Sequence, residues 1–116
     1  MKRGELWSAD LGPHRPMEQT GRRPVMIWQS DVLNRILQSV LVIPLTTNLE
    51  RANLAGTAIV EGGPQGPHES SVALVFQMRT VPKNCLRERI RLLTETELAE
   101  LELATDEALG RIEPEE

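Results

Sequence analysis

The sequence predicts a small, mainly β domain that ends in one α-helix. Short apolar segments alternate with glycine- and proline-rich turns along residues 5–93, which is typical of strands. Residues 94–109 then change to helical spacing behind a capping sequence. A chain of 116 residues has room for one core, so we expect one domain over residues 1–112 and a short disordered acidic tail at 113–116.

The first half of the chain predicts two strands around a polar loop. Glu5–Leu11 is a short strand candidate that a glycine–proline pair ends, and residues 14–21 follow as a loop. Pro24–Ser30 is nearly continuous in apolar character, which indicates a buried strand. Asp31–Arg35 then fits a turn or a single helical turn.

Four more strands are expected. Val40–Thr46 is the third, and its Pro44 favours an edge position or a bulge because proline donates no ladder hydrogen bond. Either placement would aim the polar residues that follow out of the sheet. The remaining candidates are Thr57–Val60, Ser71–Phe76, which delivers Gln77 at its end, and an exposed last strand at Arg87–Leu93.

The final element is predicted to be a helix over Glu95–Leu109. Thr94 and Glu97 have the spacing of a capping box, and Gly110 is a stop signal. The apolar stripe that would face the sheet consists of Leu98, Leu101, Thr105, Ala108 and Leu109.

The net charge of −4 conceals a division along the chain. Residues 1–93 contain 12 Lys and Arg against 8 Asp and Glu, whereas residues 94–116 contain one Arg against 9 acidic residues. A basic body is compatible with binding a polyanion, although a solvated acidic helix is the commoner explanation of such a C-terminal segment.

The cysteine and histidine content argues against a disulfide-bonded protein and against a zinc protein. Cys85 is the sole cysteine, so an internal disulfide is excluded, and the two histidines do not form a zinc-ligand cluster. We therefore expect neither metal nor cofactor. His14 is a candidate general base, but a lone loop histidine is more often plain surface. The absence of a long apolar run or a signal-peptide pattern predicts a cytoplasmic protein.

The most informative stretch is Glu18–Pro24. Gly21 allows a tight turn, and Pro24 disfavours helical geometry for Arg23, so that Arg23 is expected in extended backbone at the mouth of a strand. A guanidinium held in this way matches phosphate oxygens. The alternative is that Arg22 and Arg23 are solvated surface charges.

These features together resemble one family. The matching segments are Arg3–Trp7, Glu18–Pro24, Asn34-Arg35, Val42–Thr46, Gln77–Val81 and Lys83, spread over residues 3–109. Each is weak alone, but in this order and spacing they resemble the MazF/PemK (Kid) toxin endoribonucleases of type II toxin–antitoxin systems.

The resemblance implies an SH3-like β-barrel with a C-terminal helix. It implies a homodimer whose groove binds single-stranded RNA, and a cognate antitoxin whose acidic flexible C-terminal tail occupies that groove. By position, Arg23 and Thr46 match the catalytic residues of the family. The residues that match its RNA-binding groove, or support it, are Gln19, Thr20, Thr47, Asn48, Gln77 and Arg79.

Three positions depart from the family pattern. Met17 stands where serine or histidine is common, Phe76 where an acid often precedes the glutamine, and Pro82 where aspartate often follows. The alternatives are therefore a degenerate member that binds RNA or antitoxin without cutting, and a non-enzymatic interaction module like the gyrase-poisoning toxins. Arg23 together with Thr46 favours a nuclease that uses the ribose 2′-hydroxyl as its nucleophile and needs no metal.

Overall fold

Seven strands and two α-helices form the part of the protein that the structure describes. The computed structural model describes residues 1–13, 15–64 and 66–113. In chain order the elements are β1 (Glu5–Asp10), β2 (Arg22–Ile27), α1 (Asp31–Ile36), β3 (Ser39–Thr46), β4 (Thr57–Val60), β5 (Ser71–Leu74), β6 (Arg79–Pro82), β7 (Leu86–Leu92) and α2 (Glu95–Ala108). Short 3₁₀ turns at Leu49–Asn53, Val75–Gln77 and Lys83–Cys85 connect several of them.

All strand pairs are antiparallel. The strand order is β4-β5-β3-β2-β1-β7, and β6 pairs with the first half of β3. Within the described residues no ladder joins β4 to β7, so the sheet is not closed and "barrel" describes it only loosely. The mainly β fold with a C-terminal helix is confirmed.

The buried parts of β2 and β3 are continuously apolar because both faces of the sheet are covered there. Along β2, Val25 and Ile27 join one core cluster, whereas Met26 and the following Trp28 join another that packs under α2. β3 alternates in the same way, with Val42 on one side and Ile43 on the other. Burial on both faces explains the continuous apolar runs that predicted these strands.

Side-chain contacts from Arg3 and Trp28 hold α2 on the sheet. The indole N–H of Trp28 donates to Thr105 Oγ1 at 3.1 Å. The Arg3 guanidinium lies over the face of the same ring, 3.8 Å from the ring centroid, and pairs with Glu102 at 2.6 Å. These bonds fix the rotation of the helix as well as its distance from the sheet.

One ion pair bridges the opening between β4 and β7. Both terminal nitrogens of Arg91 on β7 donate to the Glu97 carboxylate, at 2.8 and 2.9 Å. The same guanidinium donates to the carbonyl oxygens of Glu61, directly after β4, and Gly66. Glu97 also completes the predicted capping box with Thr94. Side-chain hydrogen bonds thus connect the two strands that no ladder joins.

Three details of the predicted strands are wrong. β3 is an interior strand, so the edge position, one of the two expected from Pro44, is wrong. Pro44 is tolerated because the ladders to β6 and β5 stop on either side of it, so neither needs its missing N–H. The fifth strand ends at Leu74, and Gln77 lies in a 3₁₀ turn. Arg79–Pro82 forms an unpredicted strand because its partner, Ser39–Val42, is distant in sequence.

The predicted C-terminal helix is confirmed, and it ends at Ala108 with Gly110 at a φ of 74°. Of the expected acidic tail, residues 114–116 lie outside the described residues. No helix in the described part of the chain has the length and apolar character needed to cross a membrane.

Candidate active site

The loop between β1 and β2 folds back beside the end of β3. Leu11 and Gly21 close the base of the loop through hydrogen bonds from Leu11 N to Gly21 O and from Gly21 N to Gly12 O, both 2.9 Å. Gly21 has a φ of 74°, a conformation that side chains disfavour, so the turn expected there is confirmed. The chain then enters β2 directly at Arg22.

Arg23 is the second residue of β2, in extended backbone as predicted. Three of its side-chain hydrogens are used within the protein. Nε donates to the Thr20 carbonyl at 2.8 Å, and Nη1 donates to Gln19 Oε1 and to the Leu45 carbonyl at 3.1 Å. These bonds fix the plane of the guanidinium against both the loop and β3.

The other terminal nitrogen of Arg23 is available. Guanidinium has five N–H donors, and no partner for the two on Nη2 lies within the residues that the structure describes. Burial lowers the pKa of Arg23, but arginine begins so high that it stays protonated at neutral pH. The site therefore presents two oriented N–H groups and a partly desolvated positive charge.

Thr46 is the last residue of β3, the strand that pairs with β2, on which Arg23 lies. Val25 pairs with Pro44, so the same register places Thr46 opposite Arg23. The backbone N–H of Asn48 donates to Thr46 Oγ1 at 3.2 Å. Since this contact uses a lone pair of the hydroxyl, its hydrogen is free to donate to a ligand.

Arg23 and Thr46 line the same cleft, which has a volume of about 260 Å³. Its lining residues are Gln19, Arg22, Arg23, Pro24, Leu45, Thr46, Thr47 and Ser71. The cleft lining includes two guanidinium groups and several neutral polar groups, and none of the lining residues is acidic. A cleft of this composition suits a phosphate diester.

The other predicted groove residues occupy supporting positions. Gln77 Oε1 accepts from the backbone N–H of Gln19 at 3.3 Å. Arg79 pairs with Glu18 at 2.7 Å and donates to the Leu11 carbonyl at 3.2 Å. Both side chains therefore tether the β1–β2 loop.

Two polar residues predicted at the groove use their polar groups locally. Thr20 meets Arg23 through its carbonyl, and the Asn48 side chain caps the 3₁₀ turn Leu49–Asn53 through Glu50 N at 3.2 Å. Neither is among the residues that line the cleft.

Met17 and Cys85 are not among the residues that line the cleft. The candidate general base His14 lies outside the described residues. Met17 is 93% exposed on the loop with a φ of 65°. Cys85 is half-buried, and burial raises the pKa of its thiol, which disfavours the nucleophilic thiolate. Among residues 1–13, 15–64 and 66–113 no three His, Cys, Asp or Glu side chains gather as a metal site.

Two polar residues that line the cleft, Arg22 and Ser71, were not predicted as site residues from the sequence. Arg22 adjoins Arg23 and could have been found from that pair of guanidinium groups. Ser71, which is 2% exposed, gave no signal, since only the pairing of β5 with the end of β3 brings it there.

Comparison with known proteins decides the family. The family model described as PemK-like, MazF-like toxin of type II toxin–antitoxin system matches residues 2–109. The chain belongs to this toxin family.

Individual relatives agree with that membership. An endoribonuclease MazF of Staphylococcus saprophyticus is 34% identical over 110 residues, which span 95% of this chain and 92% of the relative. Among solved structures, a mycobacterial endoribonuclease in complex with its cognate antitoxin aligns with a TM-score of 0.76 and 25% identity, covering 98% of this chain and 99% of the other. MazF from Deinococcus radiodurans shares the fold, with a TM-score of 0.79, 22% identity and coverage of 95% and 96%.

Proposed function

We propose that this toxin-family member is a sequence-specific endoribonuclease that cleaves single-stranded RNA without a metal ion, and thereby inhibits translation and growth. The main support is the geometry of Arg23, whose two unpartnered N–H groups share a cleft with the Thr46 hydroxyl. Family membership and the endoribonuclease relatives support the same activity.

RNA supplies its own nucleophile. The ribose 2′-oxygen attacks the adjacent phosphorus, the bond from phosphorus to the 5′-oxygen breaks, and the products are a 2′,3′-cyclic phosphate and a 5′-hydroxyl. The 2′-hydroxyl loses one proton and the leaving 5′-oxygen gains one, so the reaction consumes no water and requires no cofactor.

Arg23 and Thr46 act on the charge that develops during this attack. The pentacovalent phosphate carries more negative charge than the diester, and the Nη2 donors of Arg23 are already oriented to receive it. The Thr46 hydroxyl donates to a second phosphate oxygen or orients the attack. Because arginine stays protonated, Arg23 stabilises charge and does not accept the proton; a substrate phosphate oxygen or water takes it.

The proposal extends to partners and location. An antitoxin with an acidic flexible C-terminal tail would place carboxylates on Arg22 and Arg23 and so exclude RNA. The cleft of one protomer is too small for several nucleotides, so we expect a homodimer that joins two clefts into one channel. The toxin would act in the cytoplasm, where mRNA is translated.

The decisive experiment uses a short RNA that contains a mapped cleavage site. A matched RNA has a single 2′-deoxy substitution 5′ to the scissile phosphate, and both are incubated with and without EDTA. We expect the all-ribose RNA to be cut equally in EDTA, to give a cyclic or 3′-phosphate and a 5′-hydroxyl, and the deoxy RNA to resist cleavage. Cleavage of the deoxy RNA, or loss of activity in EDTA, would contradict the mechanism. Binding of RNA without any cleavage would identify the degenerate alternative.

A further inference from the structure

A second cavity adjoins the cleft beside Arg23. Its volume is about 320 Å³. The residues that line it are Ser8, Arg22, Arg23, Pro24, Pro67, His68, Glu88 and Ile90. Arg22, Arg23 and Pro24 also line the first cleft, so the two spaces meet across these residues. A strand of RNA whose phosphate contacts Arg23 therefore has a second site within its reach.

The walls of this second cavity suit a flat ring. Pro24 and Pro67 contribute rigid apolar surfaces, and Ile90 packs against the core that lies under α2. His68 adds an exposed imidazole directly after the buried Pro67. Proteins that read single-stranded RNA commonly hold a splayed-out base against such aromatic and apolar surfaces.

Glu88 gives the cavity a hydrogen-bonding preference. Its backbone N–H donates to Ser8 Oγ at 3.1 Å, but none of the described residues donates to its side-chain carboxylate. The flanking Arg87 and Arg89 are engaged elsewhere: Arg87 with the Asn84 carbonyl, and Arg89 with Glu5. A carboxylate without a partner among the described residues, in the same cavity as Arg22 and Arg23, is suited to accept N–H groups from a ligand whose phosphate those arginines bind.

We propose that the second cavity binds the base of a nucleotide next to the scissile phosphate, and that Glu88 makes guanine the preferred base. The proposal rests on the proposed ribonuclease function. Guanine presents N1–H and N2–H side by side, so both Glu88 oxygens can accept. Adenine and cytosine offer one amino group each, and the N3–H of uracil lies between two carbonyl oxygens that a carboxylate repels. Ser8, whose hydroxyl hydrogen is free, can donate to the guanine carbonyl or the sugar.

The test measures binding independently of cleavage. The probes are hexanucleotides in which one 2′-deoxy nucleotide precedes the central phosphate and in which guanine, inosine or uracil occupies either adjoining position. Inosine lacks only the N2 amino group of guanine. We expect the wild-type protein to bind guanine about tenfold tighter than inosine at one of the two positions, and still tighter than uracil.

Two variants and a control complete the test. Glu88→Gln should bind guanine and inosine with equal affinity, because the amide replaces one of the two acceptor oxygens with an NH2 donor and so cannot pair with N1–H and N2–H side by side. Glu100→Gln, which changes an exposed carboxylate on α2, should behave as wild type. His68→Ala should weaken all the probes and retain the preference for guanine. Equal binding of guanine, inosine and uracil by the wild-type protein, or an unchanged preference in Glu88→Gln, would overturn the proposal. A guanine preference in a protein that cleaves no all-ribose RNA would instead refute the ribonuclease function and leave the base site standing.

Discussion

Acidification should remove a defined part of the stability of this protein through Glu97. Its side chain is only 7% exposed; burial raises its pKa, but hydrogen bonds from Arg91 and from the N–H groups of Thr94 and Glu61 outweigh burial and lower the pKa to about 2. A carboxyl group with a lowered pKa in the folded state stabilises the fold above its unfolded pKa, near 4.5. That contribution is lost as pH falls from about 4.5 toward 2.

The size of the effect follows from the shift. Two and a half pKa units at about 1.36 kcal/mol each set an upper limit of about 3 kcal/mol. Solvent screens part of this stabilisation, because the Arg91 side chain is 15% exposed. We therefore expect about 2 kcal/mol. Glu97→Gln should cost a similar amount at pH 7, since it leaves the Arg91 charge without its partner.

Urea unfolding between pH 7 and pH 3 measures this prediction directly. The wild-type free energy of unfolding should fall below pH 4.5, and the slope attributable to Glu97 should be missing in Glu97→Gln. Glu100→Gln, which changes an exposed carboxylate on the same helix, should keep the wild-type pH dependence. If Glu97→Gln unfolds with the wild-type midpoint at pH 7 and the same acid dependence, then the pair does not stabilise the fold and the reasoning is refuted.

Further predictions concern the cleft, the assembly and the tail. Arg23→Ala should lower single-turnover cleavage by about 10³-fold or more while the protein stays folded, and Arg23→Lys should not restore it because lysine lacks the planar fork; wild-type rates would exclude this site. Thr46→Val should lower the rate by about 10²-fold and Thr46→Ser should retain most of it, so equal losses in both would argue against a hydroxyl donor. Light scattering at micromolar concentration should detect a dimer, and a purely monomeric sample would contradict the shared channel. Removal of residues 113–116 should leave RNA affinity nearly unchanged, because a segment this acidic would repel phosphate if it lay at the cleft; a large change would place the tail there.

Local chemistry made much of the fold predictable. The Thr94–Glu97 capping box, the Ser30 cap of α1 and the positive φ of Gly21 are satisfied within a few residues along the chain, so the sequence indicates them directly. β4 was predicted with its observed bounds because Gly56 precedes it and Gly62-Gly63 follow shortly after it. Prediction failed for the strand that depends on a partner distant in sequence. β6 has only four residues, one of them a proline, and it forms because the first half of β3 lies beside it.

The order of residues around Pro24 was enough to predict Arg23 in extended backbone at the mouth of a strand, since proline restricts the residue before it. What that arginine can bind depends on contacts with segments distant in sequence. Gln19 and the carbonyls of Thr20 and Leu45 occupy three of its N–H groups and leave Nη2 open, and β3 brings Thr46 opposite. The physical reason is that a proline acts on its neighbour through steric contact along the chain, whereas a cleft requires strands distant in sequence to pair in one register.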